Sequence, residues 1–234
     1  MKIGILQTGQ APDALRAEMG DYPAMFARLL AGNGFTFQTW LVEEMEFPAS
    51  VHSADGWLIT GSRHGVYEDH PFIAPLEQFV RDALAAGRPV TGICFGHQIM
   101  AQALGGQVAK FPGGWAVGPQ SYHVEGRDMV LNAWHQDQVL MPPDGAQTIA
   151  SNPFCVHAAL RYGTLGLSVQ AHPEFDDEFI RGLINTRGRG VVPDAKLDAA
   201  KATLGTALDQ GQIAEKIAEH FKAHAPVHAR TEER

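Results

Sequence analysis

Three side chains carry groups that chemistry can use together: Cys94 in TGICFGHQIMAQALGG, and His172 and Glu174 in GLSVQAHPEFDDEF. A thiolate is a nucleophile, an imidazole can take the thiol proton, and a carboxylate can hold that imidazole in one tautomer. Cys94 lies between Gly92 and Gly96, after an apolar run and before a helical pattern. Glycine adopts strained backbone without a Cβ penalty. The spacing therefore predicts a sharp strand-to-helix turn that pushes the Cys94 side chain outward, the logic of the G-x-S-x-G elbow with cysteine in place of serine. Pro173 stands between His172 and Glu174 and disfavours helical geometry before it. An extended link there would point both side chains to one side, as base and orienter. Cys94 and His172 are far apart in the chain, so the fold must join them. An open α/β sheet does this at the carboxyl ends of neighbouring parallel strands. Taken singly, each residue has a plainer reading, a small buried apolar cysteine or a core histidine.

The elements needed for that placement are visible in the first half of the chain. Short β-prone runs (KIGILQTG, FTFQTWLV, ADGWLITG, RPVTGIC) alternate with helical patterns around Tyr22 to Gly32, Phe72 to Gly87 and His97 to Leu104. Such alternation predicts βαβ units and a mainly parallel sheet. The helix IAPLEQFVRDALAAG places Ile73, Leu76, Phe79, Val80 and Leu84 on one stripe, with Gly87 as its stop. From Gly106 to about Gln170 the texture becomes QVAKF, SYHVEG, DMVLNAW and GLSVQAH. These are short strands of an antiparallel or mixed part of the same sheet. After His172 the pattern is helical again, and Ile213, Ile217, Ala218 and Phe221 share a face of the last helix. The expected organisation is one α/β domain over residues 1–225, a three-layer, mainly parallel open sheet flanked by helices with an antiparallel extension. A polar tail follows at residues 226–234.

Composition narrows the function classes. The chain has 234 residues, 45% of them hydrophobic, and a formal charge of −8, which fits a solvated globular protein and speaks against nucleic-acid binding. No stretch approaches the roughly 20 apolar residues of a membrane span, and the N-terminal apolar run is short for a secretory signal, so a cytoplasmic location is expected. Cys94 and Cys155 are too few for a disulfide framework and lack zinc-site spacing. Reduced thiols and no metal are therefore expected. No G-x-x-x-x-G-K-[ST] run supports ATP chemistry in the chain.

The runs GICFGHQ around Cys94 and QAHPE around His172 resemble the class I, triad-type glutamine amidotransferases. WLITGSRHGVYED resembles that family's glycine-bearing oxyanion loop, and NAWHQDQV resembles the loop that reads His-Gly-Asp in the glutaminase part of GMP synthase. The four segments keep the family's order over about residues 56–175. The resemblance implies a flavodoxin-like sheet and a nucleophilic Cys94 that attacks a γ-carboxamide to give a γ-glutamyl thioester. His172 would be base and then acid, and Glu174 its orienter. Backbone N–H groups of Phe95 and Ser62 would form the oxyanion hole, although Ser62 stands where glycine is usual.

Gly61, Gln98, Trp134, Gln136 and Asp137 are the implied substrate contacts, with Gln136 again where glycine is frequent. The plainer reading makes His135 and Asp137 loop structure, Asp137 capping a turn, and His97 packing at a helix start. Arg63 and His64, in the oxyanion loop, could meet a substrate or a partner. GSRHGVYEDHPFI looks most like the standalone GMP synthase-like proteins and the γ-glutamyl peptidases, whose substrate is a small γ-glutamyl compound or glutamine and which need no cofactor. Two other readings stay open: ammonia delivery to a separate synthetase subunit, and a non-catalytic regulatory subunit, against which the complete Cys94, His172 and Glu174 set argues.

Overall fold

The computed structural model describes residues 1–225; the tail expected at 226–234 lies outside them. In chain order the elements are β1 (Lys2–Gln7), α1 (Asp13–Met19), α2 (Tyr22–Leu29), β2 (Thr36–Leu41), β3 (Gly56–Ile59), α3 (Ile73–Ala85), β4 (Val90–Ile93), α4 (Phe95–Ala103), β5 (Gln107–Lys110), β6 (Ala116–Val124), β7 (Arg127–His135), β8 (Asp137–Met141), β9 (Ala146–Ser151), β10 (Ala159–Tyr162), β11 (Gly166–Val169), α5 (Asp177–Asn185), α6 (Asp194–Thr203) and α7 (Gln210–Ala223).

Nine strands form one sheet in the order β2-β1-β3-β4-β11-β10-β9-β6-β7. β2, β1, β3, β4 and β11 run parallel to one another, and β10, β9, β6 and β7 extend the sheet antiparallel from β11. Every residue of β3, β4 and β11 is buried, as parallel strands covered on both faces require. Side chains alternate across the sheet. Ile3, Ile5 and Leu58 face a core shared with α1, α2, α5, α6 and α7, whereas Leu6, Trp57 and Ile59 face the core under α3 and α4. The outcome is the expected three-layer α/β arrangement with its antiparallel extension.

The differences from expectation are local. β5 pairs with β8 in a ribbon of its own and not in the main sheet. α4 begins at Phe95, directly after the cysteine, and not at His97. α1 and α6 had no expected counterpart; each follows a proline, and they bury little, Leu15 in one and Leu197 and Ala200 in the other.

Candidate active site

β3, β4 and β11 lie side by side, and each delivers one part of the site from its carboxyl end. The register pairs Ile93 with Val169, so Cys94, after β4, meets the segment that carries His172, after β11. Cys94 has φ 54° and ψ −102°, a backbone region that costs a non-glycine residue on the order of 1–3 kcal/mol. The strain falls on the cysteine itself, because neither flanking glycine has positive φ. This corrects the reason expected for the glycines. A Cβ on Gly92 would stand 2.2 Å from the Gly96 carbonyl oxygen, and one on Gly96 would stand 2.4 Å from the Ile59 carbonyl oxygen. The glycines let α4 sit against β4 and β3, and that close approach holds the elbow in its strained form.

The His172–Glu174 link is also not extended. The Phe175 N–H donates to the His172 carbonyl at 3.3 Å, closing a turn with Pro173 at the position where its fixed φ is favoured. The two side chains meet all the same: His172 Nδ1 lies 2.7 Å from Glu174 Oε1, with the side chains 4% and 1% exposed. The turn is braced on several sides. The His172 N–H donates to Asn132 O at 2.8 Å, Asn132 Nδ2 donates to Phe175 O at 3.0 Å, and Gln210 Nε2 donates to Pro173 O at 2.7 Å and Phe175 O at 2.8 Å. The Phe175 ring stacks on the imidazole at 4.0 Å between centroids.

With Nδ1 committed to Glu174, Nε2 is the nitrogen left to face the Cys94 sulfur. Burial disfavours the imidazolium, but the Glu174 carboxylate and then the Cys94 sulfur outweigh it and raise the His172 pKa to about 10. At neutral pH the site thus favours an imidazolium beside Cys94. Cys94 is itself buried at 5% exposure, which corrects the expected outward placement, but it reaches the cleft; Cys155 does not, and burial pushes it up to about 12, which leaves it an inert thiol.

The loop after β3 lies against this pair: a Cβ on Gly61 would stand 3.0 Å from His172 Cε1 and 3.7 Å from Cys94 Cβ. Thr8 Oγ1 donates to the Gly61 carbonyl at 3.1 Å. Because a trans peptide sets its C=O and N–H in opposite directions, the Ser62 N–H points away from Thr8, and Ser62 lines the cleft. Phe95 opens α4, where first-turn N–H groups have no intrahelical partner. The Gly96 N–H is used on Thr60 O at 3.1 Å.

A cleft of about 480 Å³ opens over these groups, within the range of small-molecule sites. Ser62, Cys94, Gln98, Trp134, Gln136, Asp137 and His172 line it. Gln98 is buried and donates its amide hydrogens to Asp137 O at 2.9 Å and Gln170 Oε1 at 3.1 Å, so it ties the Asp137 loop to α4. Gln136 Nε2 donates to Phe111 O at 3.3 Å. The Asp137 carboxylate accepts from the Tyr67 hydroxyl at 2.9 Å, and burial raises its pKa. His97 is a core group bonded to Ser168 Oγ at 2.7 Å.

Sequence reasoning missed five polar groups of the cleft wall: Tyr22, Tyr67, Glu68, Lys110 and Arg187. Arg187 donates to Gln10 O at 3.1 Å and to the Tyr22 hydroxyl at 3.4 Å. No local spacing marks these residues, which come together only through the fold.

A parallel α/β sheet thus carries a cysteine on a strand-to-helix elbow and a His–Glu pair just after the adjoining strand. The family model Glutamine amidotransferase class-I matches residues 25–178, and the chain belongs to that family. It is 27% identical to gamma-glutamyl peptidase 4 of Arabidopsis thaliana over 88% of this chain and 89% of that protein. Its identity to the gamma-glutamyl-L-1-hydroxyisopropylamide hydrolase of a Pseudomonas species is 26%, over 76% and 72%. A crystal structure of a glutamine amido transferase from Methylobacillus flagellatus superposes with a TM-score of 0.74 at 22% identity, covering 96% of this chain and 95% of that one, a likeness of fold.

Proposed function

We propose that the chain hydrolyses the γ-amide of γ-glutamyl compounds through a γ-glutamyl thioester on Cys94. The observation that carries this is the strained Cys94 beside a buried His172 whose other nitrogen is held by Glu174 at 2.7 Å. Family membership and the relatives named for γ-glutamyl peptidase and γ-glutamyl amide hydrolase activity support the bond class.

The Cys94 thiolate adds to the γ-carbonyl carbon, and the Ser62 and Phe95 N–H groups receive the oxyanion. The His172 Nε2 proton passes to the leaving amine, the C–N bond breaks, and the thioester remains. Neutral His172 then takes a proton from water, whose oxygen adds to the thioester carbon. The adduct collapses, Cys94 leaves as thiolate beside the restored imidazolium, and the released γ-carboxylic acid passes its proton to the freed amine to become the carboxylate.

In the cleft, Asp137 suits the α-ammonium group of the glutamyl unit, and Arg187 and Lys110 suit carboxylates. Gly61, Gln98, Trp134 and Gln136 shape the wall around them. The size of the cleft favours a γ-glutamyl amide or peptide over free glutamine.

The test is turnover of glutamine, glutathione and γ-glutamyl dipeptides, scored as released glutamate, by the native protein and by Cys94→Ser. Turnover of a γ-glutamyl amide that falls at least about a thousandfold in the variant supports the proposal. Equal turnover by both proteins, or none with any compound, overturns it. Hydrolysis of glutamine that requires an added synthetase would assign the chain instead as an ammonia-delivering subunit.

A further inference from the structure

A second cluster of reactive side chains stands on the cleft wall, outside the Cys94 site. His64, Glu68 and His70 each offer one donor atom, and these atoms lie within 4.8 Å of one another. Glu68 Oε2 is 2.9 Å from His70 Nε2 and 3.6 Å from His64 Nδ1. Two ligands bound at about 2.0–2.1 Å to a tetrahedral zinc ion stand roughly 3.3 Å apart, and the two separations bracket that value.

The outer groups match as well. His64 Nε2 lies 2.9 Å from Glu43 Oε1. A carboxylate there accepts a hydrogen bond from Nε2–H and leaves Nδ1 as the lone-pair donor facing Glu68, the arrangement that orients metal-binding histidines. The His70 ring stacks on Phe72 with an interplanar angle of 21°, which limits its rotation. The cluster is partly open to solvent, and His64 and Glu68 line the cleft, so a path for an ion exists.

We infer that His64 Nδ1, Glu68 and His70 Nε2 form a divalent transition-metal site of the zinc class, with Glu43 as its outer-shell orienter. Two imidazoles and one carboxylate are a donor set that suits such ions, and three protein ligands leave a coordination position for water or a ligand group. The expectation of no metal rested on cysteine spacing; this site uses none. A metal here would join the turn at Ser62–His64 to that at Glu68–His70.

Cobalt(II) titration of the Cys94→Ser protein, followed by visible absorption, tests the site without interference from the thiol. The expected result is saturation at one equivalent, with d–d bands and no sulfur-to-metal charge-transfer band. Affinity should fall at least about a hundredfold in His70→Ala and about ten- to a hundredfold in Glu43→Gln. His70 is outside the catalytic machinery, so His70→Ala in the Cys94-containing protein keeps its basal turnover. Absence of saturable binding overturns the inference, as does binding unchanged by His70→Ala. Cobalt bound only by the Cys94-containing protein, with a charge-transfer band, overturns it equally, because the metal would then sit on the nucleophile.

Discussion

In the proposed reaction Glu174 acts through the charge of His172. Burial pulls the imidazole down, Glu174 is the largest group raising it, and the result is a pKa of about 10. The imidazolium is therefore held through neutral pH and lost as pH rises through about 10. Its contribution to stability is full below the unfolded value near 6.5 and is lost as pH rises from there through about 10. The alkaline limb of kcat/KM is expected near pH 10, where the His172 imidazolium is lost. Glu174→Gln removes the leading raising cause, so the limb should move at least about one pH unit lower and kcat should fall; a limb that stays in place contradicts this role. Cys94, His172 and Glu174 were legible because each sits in a short run with its own punctuation, Gly92 and Gly96 or Pro173. The turn between His172 and Glu174 was not, because the bonds that brace it come from Asn132 and Gln210, distant in sequence.

At the scale of elements, the elbow depends on how closely α4 approaches β4 and β3. Gly96→Ala would drive a Cβ into the Ile59 carbonyl, a backbone atom that cannot swing aside. Overpacking of this kind costs typically about 1–3 kcal/mol, and displacing α4 also moves Phe95 and Cys94. The expected outcome is a lower denaturant midpoint together with lost turnover. Gly211, in α7, has nothing within 4 Å of an added Cβ, so Gly211→Ala should raise the midpoint by about 0.5–1 kcal/mol equivalent and leave turnover alone. If the two variants behave alike, the steric reading of Gly96 fails. The motif glycines could be seen in the sequence, but their reason could not, since Ile59 belongs to another strand. The parallel strands and α2, α3 and α4 were legible from alternation and from apolar stripes. α1 and α6 were not, because helices that bury one or two residues carry almost no periodic signal.

The whole molecule carries a second pH dependence of opposite sign. Burial, with repulsion from neighbouring histidines, lowers His97 and His135 to about 3, so both are neutral in the fold. Their folded pKa lies below the unfolded value near 6.5, so the stability they contribute is full above that pH and is lost as pH falls toward 3. Each takes up a proton on unfolding in that window, so stability falls as pH falls through it. Urea midpoints should drop steadily from pH 6 to 4, and His97→Asn should flatten the slope; an unchanged slope in that variant would show that His97 is not the source. Only at this scale does the cleft exist, since Tyr22, Arg187 and the loops around Cys94 converge through the sheet. That convergence is why the cleft wall was not legible in the sequence, whereas the local run around Cys94 was. The most direct measurement is mass spectrometry of the Cys94 peptide after acid quenching during turnover of a γ-glutamyl amide. One added γ-glutamyl group on Cys94, lost on longer incubation and absent from Cys94→Ser, is the predicted result. Turnover with no adduct on that peptide, and undiminished in Cys94→Ser, would contradict it.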